Sequence, residues 1–258
     1  MKHSLALLVL FVALIAQSCS NEKIENDWTR DNLQGKVLSY SEFSYEAKKR
    51  FGNIEKGKRT YYGHNNKYDK NGNVTEQNDY NLDGSLRSKE TYKYDENGNE
   101  TEKNYYNSDG SLKRKYTSKY DEKGYKIERY QYPYSDGRIA GHTTIYKYDK
   151  NGNEIECDNC GFDGTAVDYK KTHKYDEKGN KIESKGILDD GSLHFKRSFE
   201  YDENGNETER NSYNSDGSLD YKYTSKYEFD KQGNWIKRIE FKDGIPTYIL
   251  ERQYEYYD

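Results

Sequence analysis

Tyr94-Asp95-Glu96-Asn97-Gly98-Asn99 and, one short segment later, Asn107-Ser108-Asp109-Gly110-Ser111-Leu112 are two turn signals in quick succession. Asp-x-x-Gly suits a type I turn with Asp at its first position and Gly in the left-handed region, closing a hairpin through a bulge. The Asp-Gly of the second stretch suits either a type I′ turn or the same bulged form. The segment between them is about eight residues, an ordinary strand length.

Outward from this stretch the pattern recurs. Tyr-Asp stands at 68–69, 94–95, 120–121, 148–149, 175–176 and 201–202, with Phe229-Asp230 as a seventh copy, at spacings of 26, 26, 28, 27, 26 and 28. The candidate turn residues are Asp69 and Gly72, Asp95 and Gly98, Asp121 and Gly124, Asp149 and Gly152, Asp176 and Gly179, Asp202 and Gly205, and Asp230 and Gly233. Half a period away, Asp-Gly stands at 83–84, 109–110, 136–137, 163–164, 190–191, 216–217 and 243–244. Seven units therefore occupy residues 66–258. A fixed period of this size marks a repeat architecture.

Side chains alternate between the turns. Tyr221, Tyr223, Tyr227 and Phe229 share one parity; Asp220, Lys222, Thr224, Lys226 and Glu228 take the other. Leu193, Phe195, Phe199 and Tyr201 repeat the pattern, with Arg197 on the same face. Period two is a strand with one covered face. In the partner strands Thr75, Thr101, Ile127, Ile155, Ile182, Thr208 and Ile236 fill one slot. Tyr80, Tyr106, Tyr132, Cys160, Ile187, Tyr213 and Phe241 follow five residues later. That odd separation leaves two readings: a bulge restores the face, or both faces are partly covered.

The expected fold class is all-β, a repetitive antiparallel β-meander wound into a twisted or spiralled, solenoid-like sheet with tyrosines on its inner face. Residues 31–65 read as an N-terminal β cap, with Gly52-Asn53 and Lys56-Gly57 as turns, and the last unit as a C-terminal cap. Composition tests this. Leu, Ile, Val and Phe total only 40 of 258 residues, a level that alone signals disorder. Against disorder stand 29 tyrosines and only two prolines. Charged residues reach 34%, yet the net charge is −4, a balance that speaks against a nucleic-acid partner.

At the N-terminus Lys2 and His3 precede an apolar run from Leu5 to Ala16. Such a run suits a signal-peptide core and is short for a bilayer span. The following Ala16-Gln17-Ser18-Cys19 resembles the lipobox of bacterial lipoproteins, although Ala16 and Gln17 depart from the commoner Leu and small residue. The resemblance implies a lipoprotein signal peptide over 1–18, lipidation of Cys19, a tether over 19–30 and a membrane partner reached through lipid. Ser20 after the cysteine implies the outer membrane, on its periplasmic or its surface-exposed side. A plain secretory signal with an incidental cysteine is the other reading.

The units Tyr94-Asp95-Glu96-Asn97-Gly98-Asn99 and Tyr201-Asp202-Glu203-Asn204-Gly205-Asn206 resemble the YD (RHS-type) repeats of bacterial cell-surface proteins. Those repeats form extended antiparallel sheets that wind into shells; the period here is longer than is usual there. Tyr105-Tyr106-Asn107-Ser108-Asp109-Gly110 also resembles the aromatic stretch of choline- and glucan-binding repeats. With Trp28 and Trp235 as the only tryptophans, a repeated Trp cage cannot form, so that resemblance implies glycan stacking alone.

A catalytic site is singular, whereas a scaffold recurs. The repeated Asp, Glu, Tyr and Gly read as turns and ladders, with Glu76, Glu102, Glu128, Glu156, Glu183 and Glu209 in one slot facing Lys or Arg. Calcium-loop spacing is absent, because Gly comes fourth rather than sixth. Cys157-Asp158-Asn159-Cys160 is the one non-repeating cluster. In an extended strand its two α-carbons would lie roughly 10 Å apart, so a disulfide between Cys157 and Cys160 needs a bend; otherwise they are thiols. The sequence therefore points to a non-catalytic cell-envelope lipoprotein. It would be a binding or scaffold module presenting an aromatic-rich β surface to a glycan or an envelope protein, with no cofactor or metal. An envelope enzyme or redox protein using Cys157 and Cys160, and a structural spacer, are the alternatives.

Overall fold

The computed structural model describes residues 26–60, 63–132, 141–158 and 169–258. After a one-turn helix, α1 (Asp27–Arg30), come β1 (Val37–Arg50), β2 (Asn53–Arg59), β3 (His64–Tyr68), β4 (Val74–Tyr80), β5 (Leu86–Tyr94), β6 (Glu100–Asn107), β7 (Leu112–Tyr120), β8 (Lys126–Gln131) and β9 (His142–Tyr148). The chain continues with β10 (Glu154–Asp158), β11 (Tyr169–Tyr175), β12 (Lys181–Leu188), β13 (Leu193–Tyr201), β14 (Glu207–Tyr213), β15 (Leu219–Phe229), β16 (Trp235–Lys242) and β17 (Ile245–Tyr256).

From β3 to β17 each strand pairs antiparallel with the next, as the meander requires. The ends then meet. One edge of β1 pairs with β17, from Val37 opposite Tyr256 to Glu46 opposite Tyr248. Its other edge pairs with β3, Tyr40 opposite Asn66, and then with β2, Lys48 opposite Glu55. Because β2 and β3 lie end to end along β1, the 17 strands fill sixteen places in a closed barrel.

This closure overturns the spiralled, solenoid-like sheet. A spiral leaves two long edges of unpaired N–H and C=O groups, and a barrel leaves none. The closing piece is β1, whose 14 residues reach along both neighbours. β1, within the residues expected as an N-terminal cap, therefore closes the ring instead of capping an edge. The expected turn at Lys56-Gly57 lies inside β2, where a Cβ on Gly57 would stand 2.9 Å from Lys48 and 3.0 Å from Glu46. The hairpin there turns instead on Phe51-Gly52.

The turns match their sequence reading. Gly98 N–H donates to the Asp95 carbonyl at 3.1 Å, and Asp95 N–H donates to the Asn99 carbonyl at 3.0 Å, with Gly98 at φ +84°. The Asp95 carboxylate also accepts from the Asn97 and Asn99 amides. Both forms of the second turn occur. Asn107–Ser111 uses the bulged form, while Asp243-Gly244, both at positive φ, is a two-residue turn of the I′ kind. Asp136-Gly137 and Asp163-Gly164 lie outside the described residues.

Bulges also settle the odd separation. Lys67 opposes Glu76 and Tyr68 opposes Val74, so Thr75 is the extra residue. Thr75, Glu76, Asn78 and Tyr80 consequently share a face. Inward rungs run Tyr92, Lys103, Tyr116, Gln131 and His142 across five strands. Trp28 packs against this face at Tyr68 and Val74, in a small core with Leu33, Val37 and Tyr40. The other face is the outer wall, where the Lys93, Lys119 and Lys174 side chains are about two-thirds exposed (68%, 70% and 66%), against 20% for inward Lys103.

Candidate functional site

The barrel has two unlike ends. All seven Tyr-Asp turns, the start of β1 and the end of β17 share one end; the described Asp-Gly turns share the other. Residues 26–36 cross the first end as a plug. Asn26 caps α1 by accepting from the Thr29 amide, and Trp28 N–H donates to the Gly72 carbonyl at 3.1 Å. Asp27 accepts from the Val74 amide at 2.8 Å, and its carboxylate lies 2.8 Å from the Tyr94 hydroxyl. Asn32 then donates to the Asn204 carbonyl at 3.0 Å, and Gln34 N–H to Asn234 Oδ1 at 2.7 Å. One short segment thus ties the first turn to the sixth and seventh. Residues 26–30, expected in the tether, belong to this plug; Cys19 and residues 1–25 lie outside the described residues.

Behind the plug runs a ladder of tyrosines. The hydroxyls of Tyr94, Tyr120, Tyr175, Tyr201 and Tyr227 donate to the carbonyls of Val74, Glu100, Glu154, Lys181 and Glu207 at 2.7–2.9 Å. Each reaches back to the residue that opens the strand after the preceding Tyr-Asp turn, stapling hairpin to hairpin. Burial holds these phenols protonated: Tyr201 is pushed up to about 12, with Glu207 and Asp176 adding to the effect. In the seventh unit Tyr227 does this work, and Phe229 stacks beside it at the rim.

Inside, most cations are matched. Lys103 lies 2.8 Å from Glu90, Arg252 2.8 Å from Glu42 and Arg238 2.8 Å from Glu240. Arg252 is also sandwiched, 3.9 Å from the Trp235 ring and 4.2 Å from Tyr40. A recess of about 400 Å³ opens in the wall of β11 to β13, lined by Tyr169, Lys171, Lys181, Ser184, Phe195, Arg197 and Phe199, with His194 at its margin. A larger groove of about 520 Å³ lies on the outer wall beside the Asn107–Gly110 turn. There Lys89 is already paired with Glu76, so that groove is ordinary surface relief.

Outside, the expected glutamate slot forms charge stacks. Glu102 bridges Lys93 at 2.8 Å and Lys115 at 2.7 Å; Glu76 bridges Lys67 and Lys89; Glu156 bridges Lys147 and Lys170. The lysine hydrogen bonds carry the Glu102 carboxyl down to about 2. Cys157 is 1% exposed, faces inward opposite Tyr146 and Lys171, and is disulfide-bonded. Cys160 lies outside the described residues.

Sequence comparison finds no matching family model and no matching curated protein. Among solved structures the chain is similar to a porin-like protein from Bacteroides uniformis ATCC 8492, at 11% identity and a TM-score of 0.53, over 86% of this chain and 98% of that one. It is also similar to a TcdB2-TccC3-Cdc42 structure (14% identity, TM-score 0.33, 84% of this chain and 11% of that one). A third is a putative outer membrane lipoprotein-sorting protein domain from Vibrio parahaemolyticus (11%, TM-score 0.31, 88% of each chain). The first likeness is one of fold, a closed barrel; the other two are too distant to carry argument.

The turns, the tyrosine face and the glutamate slot were legible in the sequence. The tyrosines were expected on the inner face of an open spiral that offers an aromatic-rich surface to a ligand, whereas closure makes that face the wall of a lumen. Arg197 on the aromatic parity was the one legible sign that the interior is not purely aromatic.

Proposed function

We propose that the protein is a non-catalytic lipoprotein of the cell envelope whose barrel stands in water and takes its ligand inside the lumen. The observation that carries this is the charge on the outer wall: Lys-Glu-Lys stacks recur there between the Thr/Ile positions, while paired cations share the interior with tyrosines. A barrel embedded in a bilayer needs an outward apolar band about 25 Å tall, and each Lys or Arg at the bilayer midplane costs roughly 2–4 kcal/mol. Lys93, Lys115, Lys119 and Lys174 project from the strands where that band would lie. A pore through a membrane, which the porin-like neighbour's name suggests, is therefore the weaker reading. A lipid on Cys19 would supply attachment instead. Residues 19–25 can span at most ~25 Å, which holds the plugged end toward the membrane and the Asp-Gly end away from it. Burial and disulfide bonding of Cys157 support a packing role over redox chemistry, since reactive thiols need access.

The test is fractionation with metabolic palmitate labelling. Wild type should label and sediment with membranes. Cys19→Ala should lose the label, and a chain starting at residue 26 should remain in solution without detergent. Detergent-dependence of that short form would defeat the proposal.

A further inference from the structure

The recess on β11 to β13 has a built shape. On β12 the inward positions Ser184 and Gly186 are small. Beside them stand Lys171, opposite Gly186, and His173, opposite Ser184, on β11; Phe195 and Arg197 occupy the same two rungs on β13. Small side chains between large ones leave the space. A Cβ on Gly186 would lie 2.4 Å from the Phe195 ring, so this glycine lets the ring lie down against the wall. Arg197 sits 5.5 Å from the centre of that ring.

Its charge is unlike the rest of the interior. Among the described residues no carboxylate lies within the 4.0 Å of an ion pair from Lys171, Lys181 or Arg197. Burial lowers the Lys171 pKa, Lys181, Arg197 and Arg129 lower it further, and Glu154 opposes them. Glu207, the other nearby carboxylate, is paired with Arg210 at 3.7 Å. On the next rung His173 is buried, with Nδ1 lacking a protein partner. Lys171 and Lys181 are half-buried and Arg197 is exposed to the lumen; like charges gathered there without a carboxylate in ion-pair range cost stability, and such an arrangement is retained where a bound group needs it.

We propose that this recess binds a small organic anion, with its carboxylate or sulfate among Lys171, Lys181 and Arg197 and its ring against Phe195 and Phe199. This rests on the reading that the lumen is the binding surface. Guanidinium and ammonium donors suit carboxylate and sulfate oxygens, and the volume falls in the range of small-molecule pockets, about 300–1,000 Å³. Ser184 supplies a hydroxyl to a hydroxylated ring. An acidic sugar and an aromatic acid present the same chemistry.

Calorimetric titration of the folded barrel with trigalacturonate, 4-hydroxybenzoate and neutral maltotriose separates these sources. At least one anion should bind saturably and weaken as salt rises from about 0.05 to 0.5 M. In Lys181→Gln/Arg197→Gln the affinity should fall at least tenfold, while the melting temperature rises by about 2–4 °C as repulsion is relieved. Gly186→Ala should also weaken binding by displacing Phe195 while leaving every charge in place. Unchanged anion affinity in the double variant, a fall in its melting temperature, or no saturable binding of either anion would overturn the proposal. Maltotriose binding that these substitutions leave untouched would overturn the anion assignment yet keep the lumen as the binding surface. A barrel that needs detergent would remove both.

Discussion

At the residue scale, the hydroxyl separates tyrosine from phenylalanine in this chain. Tyr201→Phe keeps the ring and deletes one bond to the Lys181 carbonyl, and should cost about 0.5–1.5 kcal/mol in chemical denaturation. Phe229→Tyr, at the exposed rim, should return nothing comparable. The same phenols give an alkaline limit. The folded pKa of Tyr201 is raised, so its contribution is whole below the unfolded value of 10.0 and is lost as pH climbs toward about 12. Melting temperature should therefore decline above pH 10, and less so in Tyr201→Phe. Gly98 is a second such point: alanine at φ +84° should cost about 1–2 kcal/mol.

Element-scale behaviour depends on the hairpin and its stacks. Bulges beside the Tyr-Asp turns keep Thr75 and its equivalents on the outer wall, so consecutive hairpins present Glu in register with two lysines. Exposed pairs of this kind are worth about 1 kcal/mol or less each. The Glu102 carboxyl is held at about 2 against an ordinary 4.5, so its contribution is whole above 4.5 and disappears as pH falls toward 2. Glu102→Gln should lower the melting temperature slightly at pH 7, and the gap to wild type should close by pH 2. A gap that persists there would mean the side chain acts through packing. This slot was legible in the sequence because its partner lysines alternate at period two on adjacent strands. The tyrosine staple was not, because it spans 20 or 21 positions and needs the hairpins already side by side.

For the whole molecule, closure is the decisive event. Ser41 on β1 stands opposite Gln253 on β17. Ser41→Cys/Gln253→Cys should form an intramolecular crosslink, seen as faster migration on a non-reducing gel, whereas an open spiral would leave two free thiols. The plug is the other global element. Trp28 packs on Tyr68 and donates from Nε1 to the Val37 carbonyl at 2.9 Å, at the seam where the ring joins. Trp28→Ala should cost about 3 kcal/mol and raise hydrogen exchange first in β1 and β17.

Local chemistry written into each unit is enough to specify an antiparallel meander with its turns and its two unlike faces. Asp and Gly choose the turn, and period two chooses the face. Those interactions span a few residues, so they can be read without a fold. Whether the sheet coils or closes rests on nine residues of β1 finding β17 more than 200 positions away, and no local signal reports that. Closure then decided the rest: that the covered aromatic face encloses a lumen, and where Lys171, Lys181 and Arg197 converge.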